Sequence, residues 1–306
     1  MFDLIIIGGG PAGMTAGIYA ARKKLNALLI SKDFVGQVGK SSLIENWPGI
    51  KKISGLDLLE KFKDHLESFM VDINEGEEVI EIRKKKDFFE VKTTEKDRYF
   101  TKSIIVSSGT NPRFLEIPGE KEFVGKGVSY CTTCDSPFFK GKKVAVIGGG
   151  NAGFEAALDL SQYAKKIHIL EFSSEVKADE FLVERVKKDK KSEILLSVQA
   201  KEIKGNDLVS SLIYQDNKSK KTKELKVDGV FIMIGNVPVG GFVKKLVDFN
   251  ERGEIKIDSL THQTKTKGLF AAGDVTDIPY KQVVIAAGEG AQAALSCYDY
   301  LKKIKK

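Results

Sequence analysis

One pattern, a strand running into a glycine-rich turn and then a helix, occurs twice in this chain and constrains its fold more than anything else. Leu4-Ile5-Ile6-Ile7 leads into Gly8-Gly9-Gly10-Pro11-Ala12-Gly13, and Val144-Ala145-Val146-Ile147 leads into Gly148-Gly149-Gly150-Asn151-Ala152-Gly153. A helix-like segment follows each turn, over residues 14–24 and 154–163, and a second apolar strand closes each unit, over residues 27–30 and 167–170. That is a βαβ unit, twice. In Gly-x-Gly-x-x-Gly the first glycine makes the tight turn, the second lets a pyrophosphate approach the backbone, and the third lets helix pack on strand. The helix N-terminus then offers free amides and partial positive charge to the phosphates. One copy is weak evidence; two copies in the same context point to two dinucleotide sites. The expected architecture is α/β, with two Rossmann-like three-layer nucleotide-binding domains, the second inserted into the first.

The residue that ends the second strand of each unit separates the sites. An acid about 20 positions past the turn usually takes a ribose hydroxyl. Glu171 stands there in the second unit; a carboxylate accepts the 2′-hydroxyl of NADH and repels the 2′-phosphate of NADPH. No arginine pair follows in Glu171-Phe172-Ser173-Ser174-Glu175. The alternative is an ordinary exposed loop carboxylate. Ser31 holds the corresponding place in the first unit and discriminates nothing.

Cys131-Thr132-Thr133-Cys134 lies just ahead of the second unit. Two cysteines at this spacing beside a nucleotide-binding unit read as a redox dithiol, and Asp135 could trade a proton with a leaving thiolate. A zinc site needs four ligands, and the remaining candidates, Cys297, His65, His168 and His262, are isolated, so no metal is expected. His168 sits within an apolar strand and reads as structural. A pyridine nucleotide passes hydride, a disulfide accepts electrons by thiolate chemistry, and a flavin converts one to the other. The first turn is therefore expected to hold FAD.

At 306 residues the chain has room for about two domains. An amphipathic helix over 54–70, N-capped by Ser54, precedes alternating strands at 78–83, 88–93 and 98–100. Similar strands recur between 194 and 234, and 281–304 reads as a helix. Pro and Gly cluster at 111–119 and 238–241, after strand-like runs. The expected domains are 1–113 with 243–306, and 114–242. Lys+Arg 49 against Asp+Glu 42 gives +7, but the charges interleave in sign and suggest a solvated surface, with no nucleic-acid partner. Apolar runs are too short for a bilayer, no basic n-region opens the chain, and three cysteines suit a reducing compartment, so a cytoplasmic location away from membranes is expected.

The chain resembles the low-molecular-weight thioredoxin reductases over nearly its whole length, and is especially similar to the reductase portion of the alkyl hydroperoxide reductase flavoprotein. The shared stretches are the first glycine turn, Glu45-Asn46-Trp47-Pro48-Gly49, the Cys131–Asp135 run, residues 139–151, 268–274 and 279–290. The resemblance implies that FAD is surrounded by Gly8, Gly10, Pro11, Ala12, Gly13, Ser31, Gly36, Gln37, Asn46, Gly109, Gly273, Asp274, Lys281, Gln282 and Val283. It implies that Gly148, Gly150, Asn151, Ala152, Gly153, Glu171 and Gly235 serve NAD(P)H. It further implies that Cys134 lies nearer the flavin, that Cys131 faces a thioredoxin- or glutaredoxin-like protein substrate, that Asp135 is the acid, and that the enzyme is a homodimer.

Three departures matter. Ser136 replaces the family's usual glycine after the aspartate and is expected to stiffen that turn. Val35-Gly36-Gln37 replaces Gly-Gly-Gln. Leu170-Glu171-Phe172 stands where NADPH-using members carry His-Arg-Arg, as in the NADH-using hydroperoxide reductase flavoproteins, so NADH is favoured over NADPH. Met1 sits immediately ahead of the first strand region, so the extra N-terminal thioredoxin-like domains of that flavoprotein are not expected, and a separate carrier protein is. The dithiol and the nicotinamide site both fall in the middle domain, so the Pro/Gly linkers are expected to act as a hinge that presents them in turn to one flavin. An NAD(P)H:ferredoxin or flavodoxin reductase is the competing enzyme, but needs no dithiol; a non-catalytic redox-sensing flavoprotein is the competing class.

Overall fold

The computed structural model describes residues 1–40, 44, 46–130 and 132–304; of Lys40, Thr133 and Cys134 it describes the backbone. Cys131, Glu45 and the basic pair at 305–306 lie outside the described residues. The chain divides into two compact units, Met1–Asn111 with Val237–Lys306, and Pro112–Asn236.

The first unit opens with β1 (Phe2–Ile7), α1 (Pro11–Arg22), β2 (Ala27–Ser31), α2 (Gly55–Glu67) and β3 (Asp72–Glu75). β4 (Val79–Lys84), β5 (Phe89–Thr93), β6 (Arg98–Val106) and β7 (Thr110–Pro112) follow. The second unit comprises β8 (Val128–Ser129), α3 (Thr132–Asp135), β9 (Lys143–Ile147), α4 (Asn151–Ser161), β10 (Lys166–Leu170) and α5 (Glu180–Lys188). It continues through β11 (Ser192–Leu195), β12 (Val198–Gly205), β13 (Val209–Asp216), β14 (Thr222–Lys226) and β15 (Gly229–Ile232). The chain returns through β16 (Asn236–Pro238) to β17 (Leu269–Ala271) and α6 (Val283–Ile304).

The first unit's seven-stranded sheet runs β3-β2-β1-β6-β5-β4, with β17 also on β6. The strands around β1 are parallel; β4 and β5 join antiparallel. The second unit's five-stranded sheet runs β11-β10-β9-β15-β8, parallel throughout. In both, the strand that feeds the glycine turn is central and the chain reverses direction of winding beside it, which is where open α/β sheets bind ligands. Leu4, Ile5 and Ile6 are fully buried, as are Val144, Ala145 and Val146, because a parallel strand is covered on both faces.

Ser54 caps α2, accepting from Asp57 N–H at 3.1 Å, and Leu58, Leu59 and Leu66 form its buried face. The expected strand at 98–100 extends to Val106, since Ile104–Val106 completes the ladder to β1 and β17. Sequence reading does not find β3 or β17: four and three residues carry too little periodicity. The chain leaves the second unit at Asn236, ahead of the Pro238–Gly241 cluster, where β16 pairs with β7.

Candidate functional site

The first turn is built by close backbone contacts. Gly8 has φ +114, and a Cβ there would sit 2.3 Å from Ser107 O; a Cβ at Gly13 would sit 1.8 Å from Gly8 O. Neither position admits a side chain. Gly10 differs: its backbone is extended (φ −76, ψ −178), and nothing lies within 4 Å of where its Cβ would be. A glycine that the protein itself does not require, at a helix N-terminus with Pro11 and no acid in the first turn, leaves room for a pyrophosphate. The residues present therefore fit a dinucleotide.

Two of the surrounding loops meet this turn, through Ser31 and Gly273, and the others are tied down by bonds of their own. Ser31 Oγ accepts from Gly9 N–H (2.8 Å) and donates to Asp33 O (2.5 Å), so its proton is already used within the protein. Asp33 Oδ1 accepts from Val35 N–H and Gly36 N–H, both 2.9 Å, shaping the loop that carries Gln37. Gln37 Nε2 donates to Thr110 O at 3.1 Å, and Asn46 Nδ2 to Gln282 Oε1 at 3.0 Å. Gly109 has φ +65, with its carbonyl accepting from Val239 N–H. Gly273 packs on Ala12, where a Cβ would stand 3.0 Å from the alanine methyl. Lys281 Nζ donates to Thr276 O and pairs with Glu254 at 3.1 Å. Burial pushes the Asp274 carboxyl above its ordinary range, with Lys281 opposing.

Glu289, which sequence reading does not single out, is central here. It is buried at the start of α6's inner face, and its Oε2 accepts from Gly273 N–H at 2.7 Å. Burial pushes its carboxyl up; the Gly273 bond, His262 and Lys281 pull the other way, and Asp274 adds to the rise. A lone charge in the Ala- and Gly-rich run Ala286-Ala287-Gly288-Glu289-Gly290 was the available signal.

The second turn repeats the first. Gly148 has φ +127 with a Cβ 2.2 Å from Met233 O, Gly153 would meet Gly148 O at 1.9 Å, and Gly150 is extended (φ −91, ψ −177) with nothing within 4 Å of its Cβ position. Gly149 N–H donates to Glu171 Oε2 at 2.6 Å, the bond that Gly9 makes to Ser31. Ser173 N–H donates to Glu171 Oε1 at 2.8 Å. Glu171 is thus a carboxylate fixed at the mouth of the turn rather than a free loop charge. Asn151 and Asp179 exchange two bonds, of 2.9 and 2.8 Å, tying the start of α4 to the start of α5. Gly235 (φ +89) follows β15, and its carbonyl accepts from Arg113 N–H.

The dithiol segment lies in the second unit. The backbone of Cys134 is in α3, with Asp135 ending it; Cys131 and the Cys134 side chain lie outside what is described. Ser136 opens a 3-10 turn, Ser136–Phe139, without a positive φ, so its Cβ is accommodated; its buried hydroxyl has no hydrogen-bond partner among the described residues. Thr132 Oγ1 lies 3.5 Å from Asp159 Oδ2, and burial raises both Asp159 and Glu155 on α4. Upstream, Glu120 is 1% exposed and accepts from Leu115 N–H (2.8 Å), Glu116 N–H (2.6 Å) and Tyr130 Oη (2.7 Å), which pins the residue before Cys131 to the irregular segment that follows β7. Burial and the Glu120 bond raise the Tyr130 phenol well above its usual range.

His168 is buried in β10 beside Glu193, with burial lowering its imidazole, as a structural histidine would be. Among the described residues no group of three or more His, Cys, Asp or Glu could hold a metal ion, and no helix is long and apolar enough to cross a membrane.

Over residues 2–292 the sequence matches the pyridine nucleotide-disulphide oxidoreductase family. It is 40% identical over 300 residues to the NADH dehydrogenase of Bacillus subtilis (strain 168), covering 98% of this chain and 58% of that protein. It is 40% identical over 308 residues to the F subunit of alkyl hydroperoxide reductase from Escherichia coli (strain K12), covering 99% of this chain and 59% of that protein. The chain thus spans well under two thirds of the length of these curated relatives. Among solved structures, Lactococcus lactis thioredoxin reductase superposes with a TM-score of 0.90 at 37% identity, covering 99% of this chain and 100% of the other. T. acidophilum thioredoxin reductase gives 0.87 at 38% identity, with 99% of each chain covered.

Proposed function

The chain belongs to the pyridine nucleotide-disulphide oxidoreductase family, and on that premise we propose that it is an FAD-dependent reductase that uses NADH to open a disulfide on a thioredoxin- or glutaredoxin-like protein. The carrying observation is the doubled turn: two extended glycines, Gly10 and Gly150, each leave space at a helix N-terminus that only a ligand would use.

Gly8, Gly10, Pro11, Ala12, Gly13, Gly36, Gln37, Asn46, Gly109, Gly273, Asp274, Lys281, Gln282 and Val283 would hold FAD, with Ser31 shaping the turn through Gly9. FAD, when bound, supplies the conversion between hydride transfer and thiolate chemistry. Gly148, Gly150, Asn151, Ala152, Gly153 and Gly235 would hold NADH, whose ribose hydroxyl Glu171 accepts. A second negative group at that ribose would face the Glu171 carboxylate, which is why NADH is preferred over NADPH. Cys131 would attack the partner's disulfide as thiolate, Cys134 would resolve the mixed disulfide, and Asp135 would exchange the proton. A groove in the same unit, lined by Asp135, Phe138, Leu208, Lys126 and Lys142, supports a protein partner there; Phe138 is 71% and Leu208 61% exposed. The same proposal includes a homodimer, carried by the resemblance, and a cytoplasmic setting with no nucleic-acid or membrane partner, supported by the few cysteines, the short apolar runs and the interleaved charge.

Anaerobic titration of the FAD-loaded protein with NADH and NADPH separately, followed by a panel of thioredoxin-like carriers, tests it. The expected result is flavin bleaching by NADH at lower concentration than by NADPH, then carrier reduction. Equal or better use of NADPH would overturn the role given to Glu171.

A further inference from the structure

Phe172 adjoins the proposed ribose acceptor, and its side chain is 63% exposed. The backbone beneath it is held from several directions. Glu171 is fixed by the amides of Gly149 and Ser173 at 2.6 and 2.8 Å. Asn217 Nδ2 donates to Phe172 O at 3.1 Å, and Ser197 N–H donates to Ser173 O at 2.9 Å. Further along the loop, Lys177 N–H returns to Gly149 O at 2.8 Å. A large apolar ring is thereby presented to solvent on ordered backbone, one residue past the carboxylate. Phe181 on α5 is comparably exposed at 68%, but has Arg185 over its ring at 5.5 Å.

We propose that Phe172 is the adenine platform of the nicotinamide-dinucleotide site, its ring stacking on the base whose ribose Glu171 holds. This rests on the proposal that the second unit binds NADH. Phe172 follows the ribose acceptor just past the carboxyl end of β10, the edge at which open α/β sheets bind their ligands. An aromatic face suits a purine, which offers π surface but few charges. Because the loop is already bonded into place, little ordering cost opposes binding. The ligand class is any adenosine diphosphate derivative with a free ribose 2′-hydroxyl, and the adenosine half carries much of the affinity.

The test is calorimetric titration of the FAD-loaded protein with ADP-ribose and, separately, nicotinamide mononucleotide, using wild type, Phe172→Ala, Phe172→Tyr and Phe181→Ala. Base–aromatic stacking removed by alanine gives an expected loss of about tenfold in ADP-ribose affinity for Phe172→Ala, with nicotinamide mononucleotide unchanged. Phe172→Tyr and Phe181→Ala should stay within about twofold of wild type. Unchanged ADP-ribose affinity in Phe172→Ala would overturn the platform, as would equal weakening of both half-molecules, which marks a merely structural role. Failure of the wild type to bind ADP-ribose would instead remove the dinucleotide proposal for the second unit.

Discussion

Alanine at Gly10 and Gly150 separates what the fold needs from what the ligand needs. Both glycines are extended, with φ of −76 and −91, so alanine meets no backbone strain, and no protein atom lies within 4 Å of the new methyl. Gly→Ala at a compatible site stabilises by about 0.4–1 kcal/mol through the unfolded chain, but both glycines are helix N-caps, where glycine is preferred over alanine by a similar amount. The two effects nearly cancel, and at about 2–4 °C per kcal/mol for a domain of this size each apoprotein should melt within about 2 °C of wild type. Yet the methyl would stand where the pyrophosphate approaches, costing charge-assisted bonds of about 1.5–3 kcal/mol each, ten- to hundredfold in affinity. Gly13→Ala and Gly153→Ala should instead destabilise the fold itself. Their methyls would lie 1.8 and 1.9 Å from the Gly8 and Gly148 carbonyls, about 1.6 Å short of ordinary contact. Neither backbone can rotate away, so destabilisation of about 3 kcal/mol or more is expected. Thermal unfolding, flavin retention after purification and calorimetry with NAD⁺ read these effects. Gly10→Ala should lose flavin alone, and Gly150→Ala should lose NAD⁺ affinity alone. Full nucleotide binding by both folded variants would refute the reasoning, and a swap of the two losses would reverse the assignment of sites.

Other outcomes follow from the same geometry. Glu171→Gln replaces a carboxylate by a neutral acceptor, so the KM for NADH should rise about tenfold and the preference over NADPH shrink; an unchanged ratio would contradict the ribose role. Burial raises the Glu289 carboxyl above 4.5, so its contribution to stability is complete below that pH and lost as pH rises through the folded value. Glu289→Gln should therefore gain on wild type in denaturant midpoint between acidic and neutral pH; parallel pH profiles would show that Glu289 is not strained when ionised. Phe138→Ala should raise the KM for a carrier protein severalfold while flavin reduction by NADH proceeds at the wild-type rate, and an unaltered carrier KM would remove the groove from the partner site.

The doubled architecture is visible in the sequence because glycines at fixed spacing after an apolar run have few other uses. The shape of each turn follows from it: Gly8 and Gly148, and likewise Gly13 and Gly153, meet carbonyls at equivalent places in the two units at nearly the same distances. Local signals also place α2, whose Ser54 cap and apolar stripe act within one helix. Bonds between distant segments are less legible. Glu289 reaches Gly273, and Glu120 reaches both its own linker and Tyr130, because packing brings them together. No spacing rule announces such pairs. Ser31 illustrates the limit from the other side: its position matches Glu171, but its hydroxyl is committed to Gly9 and Asp33.

Under the proposed function, electrons pass from NADH to a protein disulfide by way of the Cys131/Cys134 pair. Cys134→Ser in the FAD-loaded protein tests it most directly, by anaerobic stopped-flow reduction with NADH followed by steady-state turnover with a thioredoxin-like carrier. Flavin reduction by NADH should survive near the wild-type rate while carrier reduction vanishes. Retained carrier turnover in that variant would contradict the account.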